Sequence, residues 1–333
     1  MYNEIQNLVL NLNIEIIIKE IIKIKQKNPS TFLGKGNLLR LKDIIIKYKI
    51  DLLIINNNLS PSQQRNLEKL LNIKVTDRSG IIIEIFSKRA STKESRLQVE
   101  LAELIYRKSR LVRAWTHLER QRGGTTFIGG PGELQIELDK RLIQSKIVRI
   151  KKRLVKVKAR RKIQRKSRLN SNFQTFALVG YTNAGKTKLF NKLTKKKQSS
   201  QNKLFETLDT KISKFYLNDH QVGIIDTVGF INNIPTQLIE SFHATLEEIN
   251  SANFIINVID VNDINAHDKI LTTKRILKET GVSEDKISKM INVYNKIDLS
   301  NSNYKQTQNR IFISALTGEG IENLKDSIER KLT

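Results

Sequence analysis

The sequence predicts an α/β protein in two parts. Residues 171–333 read as a doubly wound, mostly parallel sheet of the P-loop type, and residues 1–170 as a smaller α/β domain carrying a long antiparallel helical hairpin. Three observations predict this. Strand-like and helix-like stretches alternate from residue 173 onward. A glycine-rich turn at 180–187 joins one such strand to a helix. Two long basic helical patterns flank a glycine cluster at 123–132.

Along the N-terminal part, residues 51–56 and 81–86 are apolar, β-branched runs that predict strands, and 38–48 and 61–71 predict helices. Ser60 is placed to cap the second of these helices, with Pro61 at its first position. The Ile-rich stretch 14–24 is broken by Glu15, Lys19, Glu20 and Lys23. It predicts a soluble helix or strand rather than a membrane span. From Ser91, Leu97, Leu101, Leu104, Tyr106, Leu111, Trp115 and Leu118 recur near helical spacing; the glycine cluster interrupts, and a second helix is expected over 133–168. A small α/β unit to about residue 86, a basic hairpin over about 87–170 and a linker at 170–172 follow from this pattern.

In the second part, strands are expected at 176–179, 212–217, 222–225, 254–259, 291–294 and 311–313. Helices are expected at 186–193, 237–249, 269–280 and 321–331. In such a sheet a ligand belongs at the carboxyl ends of the strands.

Charge divides the chain in the same place. Of 59 Lys+Arg and 33 Asp+Glu, residues 171–333 hold 21 and 18, which leaves 38 and 15 for residues 1–170. A Lys-, Asn- and Ile-rich composition can reflect genome bias alone, but that predicts an even spread, and the spread is +23 against +3. No acid occurs from Lys140 through Arg168, and Leu142, Ile143, Ile147, Ile150, Leu154 and Val157 supply one apolar seam. A solvated helix face is the ordinary reading of such charge. A run this long without compensating acid repels itself, and RNA phosphates would relieve it. There is no cysteine, so disulfides and thiolate metal sites are excluded. With no signal sequence and no membrane-length apolar run, a cytoplasmic, monomeric protein without membrane attachment is expected.

Gly180, Tyr181, Thr182, Asn183, Ala184, Gly185, Lys186 and Thr187 fit the phosphate-cradling pattern G-x-x-x-x-G-K-[ST] between strand and helix. Lys186 would neutralise β/γ-phosphate charge and Thr187 would offer a hydroxyl to Mg²⁺. Asp226, Thr227, Val228 and Gly229 end the next parallel strand, where the Asp226 carboxylate would face Mg²⁺ and the Gly229 N–H a γ-phosphate. Between them, Phe205, Glu206, Thr207, Leu208 and Asp209 form a loop in which Thr207 or Thr210 would give Mg²⁺ a second hydroxyl. Asn295, Lys296, Ile297 and Asp298 set base choice: the Asp298 carboxylate can pair with guanine's N1–H and exocyclic amine, which adenine lacks. Ser314, Ala315 and Leu316 follow the last strand, where the Ala315 N–H would meet the guanine carbonyl. Together the motifs predict a GTP-hydrolysing enzyme, with Lys186, Thr207 and Gly229 at the reacting phosphate. Phe230 stands where many GTPases have a water-orienting glutamine, so slow intrinsic turnover is expected. His243 is a candidate base, though a lone helical histidine is more often simply packed.

The chain resembles the HflX family of ribosome-associated GTPases over nearly its whole length. The N-terminal matches include 32–36, 59–67 and 76–80, then 97–102, 118–124 and 130–133. The later ones are 180–187, 205–209, 226–231 and 244–248. The resemblance favours Thr207 over Thr210. It implies binding to the large ribosomal subunit, stimulation of hydrolysis by it, and a role in rescue, splitting or recycling of ribosomes. The basic hairpin would then lie on ribosomal RNA, with 123–132 reaching towards the peptidyl transferase region. Against the family pattern, the chain starts and ends short, Lys188 replaces a hydroxyl residue, and Thr210 stands where proline is common. The alternative is a nucleotide-regulated RNA-binding module or RNA chaperone with negligible hydrolysis. A GTPase acting on membranes or in RNA modification has no supporting feature.

Overall fold

The computed structural model describes residues 2–111, 131–169, 174–195, 205, 210–218, 220–231, 247–300, 304 and 310–332, with backbone alone at 2, 3, 131–136, 158 and 161–169. The chain forms two compact units. One comprises 1–88 and 97–154, the other 89–96 and 155–333.

The first unit contains helices α1 (Tyr2–Leu10), α2 (Lys35–Tyr48), α3 (Pro61–Leu71), α4 (Arg78–Arg89) and α5 (Lys93–Leu111), and the first part of α6 (Pro131–Leu169). Strands β1 (Leu52–Ile55) and β2 (Lys74–Asp77) pair in parallel. The expected start of α3 is borne out: Ser60 Oγ accepts from the Gln63 N–H and Gln63 Oε1 from the Ser60 N–H, so two end donors are satisfied reciprocally. Phe32, Leu41, Ile45, Leu59, Leu67 and Val75 form the core beneath.

Three expectations fail here. Residues 81–86 are not a strand but the middle of α4, where Ile81, Ile82, Ile83, Ile85 and Phe86 are all buried. A run of six with five apolar residues and one exposed polar position, Glu84, is too short to show a readable period, and tertiary burial decides its form. The missed signal is Asp77, whose Oδ1 accepts from the Gly80 N–H at 2.8 Å, as a carboxylate capping a new helix does. Residues 14–24 are neither helix nor strand; they run extended, with Ile17 and Ile21 exposed and Ile22 and Ile24 against the core. Pro131 and Gly132 open α6 instead of ending a loop, since proline is tolerated in a helix's first turn. Residues 123–130, Trp115 and Leu118 lie outside the described residues.

Asp77, almost fully buried, also ties α5 down. Its Oδ1 accepts from Tyr106 Oη at 2.8 Å, and its Oδ2 from Arg110 Nη2 at 2.9 Å and the Leu59 N–H at 3.1 Å. Arg110 Nε donates to Gln64 Oε1 at 2.6 Å, and its guanidinium lies over the Tyr106 ring. Burial first, then the Asp77 charge, pushes the Tyr106 hydroxyl well above its usual pKa, so it remains a donor.

The second unit is built on a six-stranded sheet ordered β4-β5-β3-β6-β7-β8 among the described residues. Its strands are β3 (Thr175–Val179), β4 (Lys211–Leu217), β5 (His220–Asp226), β6 (Phe254–Asp260), β7 (Ile291–Asn295) and β8 (Ile311–Ile313), each where a strand was expected. Only β4 runs antiparallel, against β5. Helices α7 (Lys186–Thr194), α8 (Ala266–Glu279), α9 (Glu284–Ser288) and α10 (Ile321–Glu329) connect them. Successive strands are added first on one side of β3 and then on the other, so the carboxyl end of β3 is the switch point at which α/β sheets bind ligands. The expected helix 237–249 is described only over 247–250, which is helical.

The Asp77 cluster makes a stability prediction. Asp77→Ala leaves Arg110 without its carboxylate and strips acceptors from three further donors, so it should destabilise the fold by about 3 kcal/mol or more. Urea unfolding followed by circular dichroism reads this directly. An unchanged midpoint would contradict it.

Candidate functional site

β3 ends at Val179 and the chain turns into α7 through Gly180–Gly185. The turn is possible only with glycine. Gly180 has φ +136°, and a Cβ there would lie 2.2 Å from the Val258 carbonyl oxygen on β6. Gly185 has φ +96°, and its Cβ would lie 2.1 Å from Asn295 Nδ2. Asn183 also sits left-handed, at φ +63°, with its side chain exposed, whereas Tyr181 and Ala184 are buried.

Lys186, the first residue of α7, points back over this loop. Its Nζ donates to the Tyr181 carbonyl at 2.7 Å and the Gly180 carbonyl at 3.0 Å. Burial lowers its pKa to about 8, partly opposed by the Asp226 charge. Thr187 Oγ1 donates to Asp226 Oδ2 at 2.9 Å, so a hydroxyl and a fully buried carboxylate from two different motifs meet. Two hard oxygens suit Mg²⁺, which keeps several waters and takes only one or two protein ligands besides phosphate. No cluster of three or more acidic, His or Cys side chains exists among the described residues, so an all-protein metal cage is not what this site offers.

The loop after Asp226 is sewn to the P-loop. The Phe230 N–H donates to the Gly180 carbonyl at 3.0 Å, and the Thr182 N–H to the Phe230 carbonyl at 2.8 Å. Gly229 is packed so closely that a Cβ would lie 2.8 Å from Thr182 Cα. The Phe230 ring is buried, as is Ile231, which leaves neither side chain able to orient water. Thr227 turns away from the turn of the P-loop: its Oγ1 donates to the Leu178 carbonyl on β3 at 2.5 Å. Val228 is buried too. Within this motif the polar side chain facing the P-loop is Asp226. Phe205 is buried; Glu206, Thr207, Leu208 and Asp209, like His243, lie outside the described residues.

On the other side of β3, Asn295 is a brace. Its Nδ2 donates to the Ala184 carbonyl at 2.8 Å and its Oδ1 accepts from the Ala315 N–H at 2.9 Å. The Ala315 N–H thus has a protein partner here, which corrects the expectation that it faces guanine. Asp298 is exposed, with Ser314 Oγ donating to its Oδ1 at 2.5 Å; Ile297 begins a short 3-10 turn and Leu316 is exposed. Ser314 Oγ also accepts from the Thr317 N–H, fixing the turn after β8.

Sequence reading missed the residues that orient these. Asp260, at the end of β6, pairs with Lys296 Nζ at 2.6 Å, and Asn262 Nδ2 donates to the Lys296 carbonyl at 2.9 Å. Lys269 on α8 pairs with Asp263 and lies 5.0 Å above the Tyr181 ring. Burial is the largest influence on Asp263 and opposes its ionisation, but the hydrogen bonds from Lys269 and the Asn265 N–H, with the Lys269 and Lys296 charges, together hold the carboxyl below its usual pKa. The available signal was position: Asp260 ends a parallel strand at the edge where ligands bind.

Three family models match in order along the chain: the N-terminal region of GTP-binding GTPases at residues 1–87, their middle region at 89–168, and 50S ribosome-binding GTPases at 175–296. The chain is 43% identical over 336 residues to the GTPase HflX of Magnetococcus marinus, covering 99% of this chain and 77% of that one. It is 37% identical over 338 residues to the GTPase HflX of Escherichia coli, covering 99% and 78%. The solved structure of a GTP-binding protein from the archaeon Sulfolobus solfataricus in complex with GDP is similar over 99% of this chain and 94% of that one. It is 26% identical, with a TM-score of 0.51. Full-length kinship of this order to GTPases supports GTP hydrolysis. The chain belongs to the HflX family of GTPases.

Proposed function

We propose that this GTPase docks on the large ribosomal subunit, with its basic hairpin against ribosomal RNA, and that bound GTP times the docking. One observation carries the reading. Among its described side chains α6 buries only a narrow seam of Ile147, Ile150 and Leu154, and it exposes Arg141, Lys146, Arg149, Lys152 and Arg153 with no acid among them. The match of residues 175–296 to 50S ribosome-binding GTPases supports the ribosome as target. Splitting, rescue or recycling of ribosomes is the work such docking would serve.

Nucleotide roles follow from the geometry. The curled backbone at 180–185 would cradle the phosphates, and Lys186 would exchange its two carbonyl partners for β/γ-phosphate oxygens. Thr187 and Asp226, with Thr207 from the neighbouring loop, would hold Mg²⁺. A bound Mg²⁺ supplies positive charge that offsets the negative charge gathering on the phosphates. The Gly229 N–H would bond a γ-phosphate, and to reach it the loop must loosen its two backbone bonds to Gly180 and Thr182. That is a two-state element biased by the third phosphate. With Phe230 buried, attack by water awaits a group supplied by the ribosome or by the backbone. Asp298 would read guanine, whose N1–H and exocyclic amine adenine does not offer to its carboxylate.

Three outcomes test this. The protein with a non-hydrolysable GTP analogue should co-sediment with large subunits, and subunits should accelerate single-turnover hydrolysis; protein left at the top of a low-salt gradient refutes the docking. Asp298→Asn should lower the preference for GTP over xanthosine triphosphate by tenfold or more in competition binding, and unaltered selectivity would show that the base is read elsewhere. The third concerns pH. Lys186 in the nucleotide-free protein titrates near 8, and phosphate contact holds it protonated to higher pH. Below pH 8 both states carry the proton and affinity is flat. Above it binding must take up a proton, so affinity should fall, approaching tenfold per unit. Equal affinities at pH 7.5 and 9 would contradict the assigned role.

A further inference from the structure

The exposed side of α6 says more than that it is basic. Arg141, Lys146, Arg149, Lys152 and Arg153 span about 18 Å of one helix at 1.5 Å per residue, spaced three to five residues apart apart from the last adjacent pair. Arg141 has one exposed ion pair, to Glu137 at 3.5 Å. Such a row offers charge at intervals comparable to those of phosphates along a nucleic-acid strand.

What the helix lacks is equally specific. Residues 131–169 contain no Phe, Tyr or Trp, so there is no platform on which an unpaired base could stack. Among the described side chains of α6, the large exposed apolar ones are Leu138, Leu142, Val148 and Val155, all aliphatic. Arginine reads guanine in a B-form major groove, but the A-form major groove is too deep and narrow for side chains to enter, and the amide and the hydroxyl beside the cations each already make one bond within the protein. Gln144 Oε1 accepts from Lys108 Nζ at 2.7 Å, and Ser145 Oγ donates to the Leu142 carbonyl at 2.8 Å.

From this we infer that α6 recognises double-helical RNA through its phosphates, without reading sequence. A duplex presents phosphates in a rigid, dense array matching a rigid row of cations. The A-form minor groove is wide and shallow enough for a helix to ride along its rim. A single strand would have to give up its freedom and gain no stacking in return. The inference rests on the ribosomal reading only for its biological target.

The test uses the full chain and fluorescence anisotropy with a labelled 20-base-pair RNA duplex, either of its strands alone, and a second duplex of unrelated sequence. The duplex should bind at least tenfold more tightly than an unpaired strand, and the two duplexes within about threefold of each other. The triple change Arg149→Gln, Lys152→Gln, Arg153→Gln should weaken duplex binding and reduce the slope of log affinity against log salt by nearly 3, and Arg149→Gln alone by nearly 1. All three side chains are exposed, so both variants should keep the parental circular dichroism spectrum. An unpaired strand bound as well as the duplex, or variants with the parental affinity and slope, overturns the inference. Sedimentation with large subunits separates the two readings: subunit binding together with a preference for unpaired RNA refutes the duplex assignment alone, and no subunit binding refutes the docking.

Discussion

The nucleotide site depends on backbone packed closer than any side chain allows. At three points around the P-loop a Cβ has nowhere to go: Gly180 against the Val258 carbonyl, Gly185 against Asn295, and Gly229 against Thr182. Each contact joins the loop to a different element, β6, the end of β7 and the loop after β5. The same closeness fixes the polar groups. Asn295 can reach both Ala184 and Ala315 only because Gly185 is bare, and Thr187 meets Asp226 only because the loop after β5 lies directly on the P-loop. A larger residue at one glycine would disturb motifs far away in sequence.

Sheet order explains why so many motifs meet. β3 is flanked by β5 and β6, so the chain's first strand in this unit becomes central, and the loops at its carboxyl end are bordered from both sides. The residues proposed to face phosphate follow β3 and β5, and those proposed to face the base follow β7 and β8. Between them, Asp260 and Asn262 beyond β6 hold Lys296, and Lys269 and Asp263 lie beneath Tyr181. These ties are ion pairs and amide bonds of ordinary side chains, whose importance is set by placement and not by type.

That distinction decides what could be read in advance. Every strand of the second unit was legible, because buried parallel strands are continuous apolar runs bounded by turns. Gly180, Lys186 and Asp226 were legible because phosphate chemistry demands those residue types at that spacing. Side-chain direction was not: nothing local shows that Thr227 would bond back to Leu178 or that the Ala315 N–H would be taken by Asn295. In the first unit, α4 was misread because β-branched residues suggest a strand whenever a run is too short to show the helical period. The four-donor role of Asp77 joins residues 59 to 110 and has no sequence signature at all.

The proposed function would also divide two incompatible electrostatic tasks between the two halves, as their charges already differ. Attraction to RNA is long-ranged and grows with every cation, so it cannot discriminate; a nucleotide pocket must discriminate, and surplus surface charge would draw any polyanion to it. Near-neutrality of residues 171–333 keeps Lys186, the one buried cation among the described residues of that range, from competing with a crowd. Burial also makes that cation costly until phosphate arrives, which is what depresses its pKa. The pocket is therefore least at ease when empty. A nucleotide pairs with a charge the fold already holds out of water, and the stability it returns to the loops grows with its own affinity. On the proposed reading a third phosphate would in addition compete with the backbone bonds of Phe230, and the loop after β5 would then register the difference between GTP and GDP.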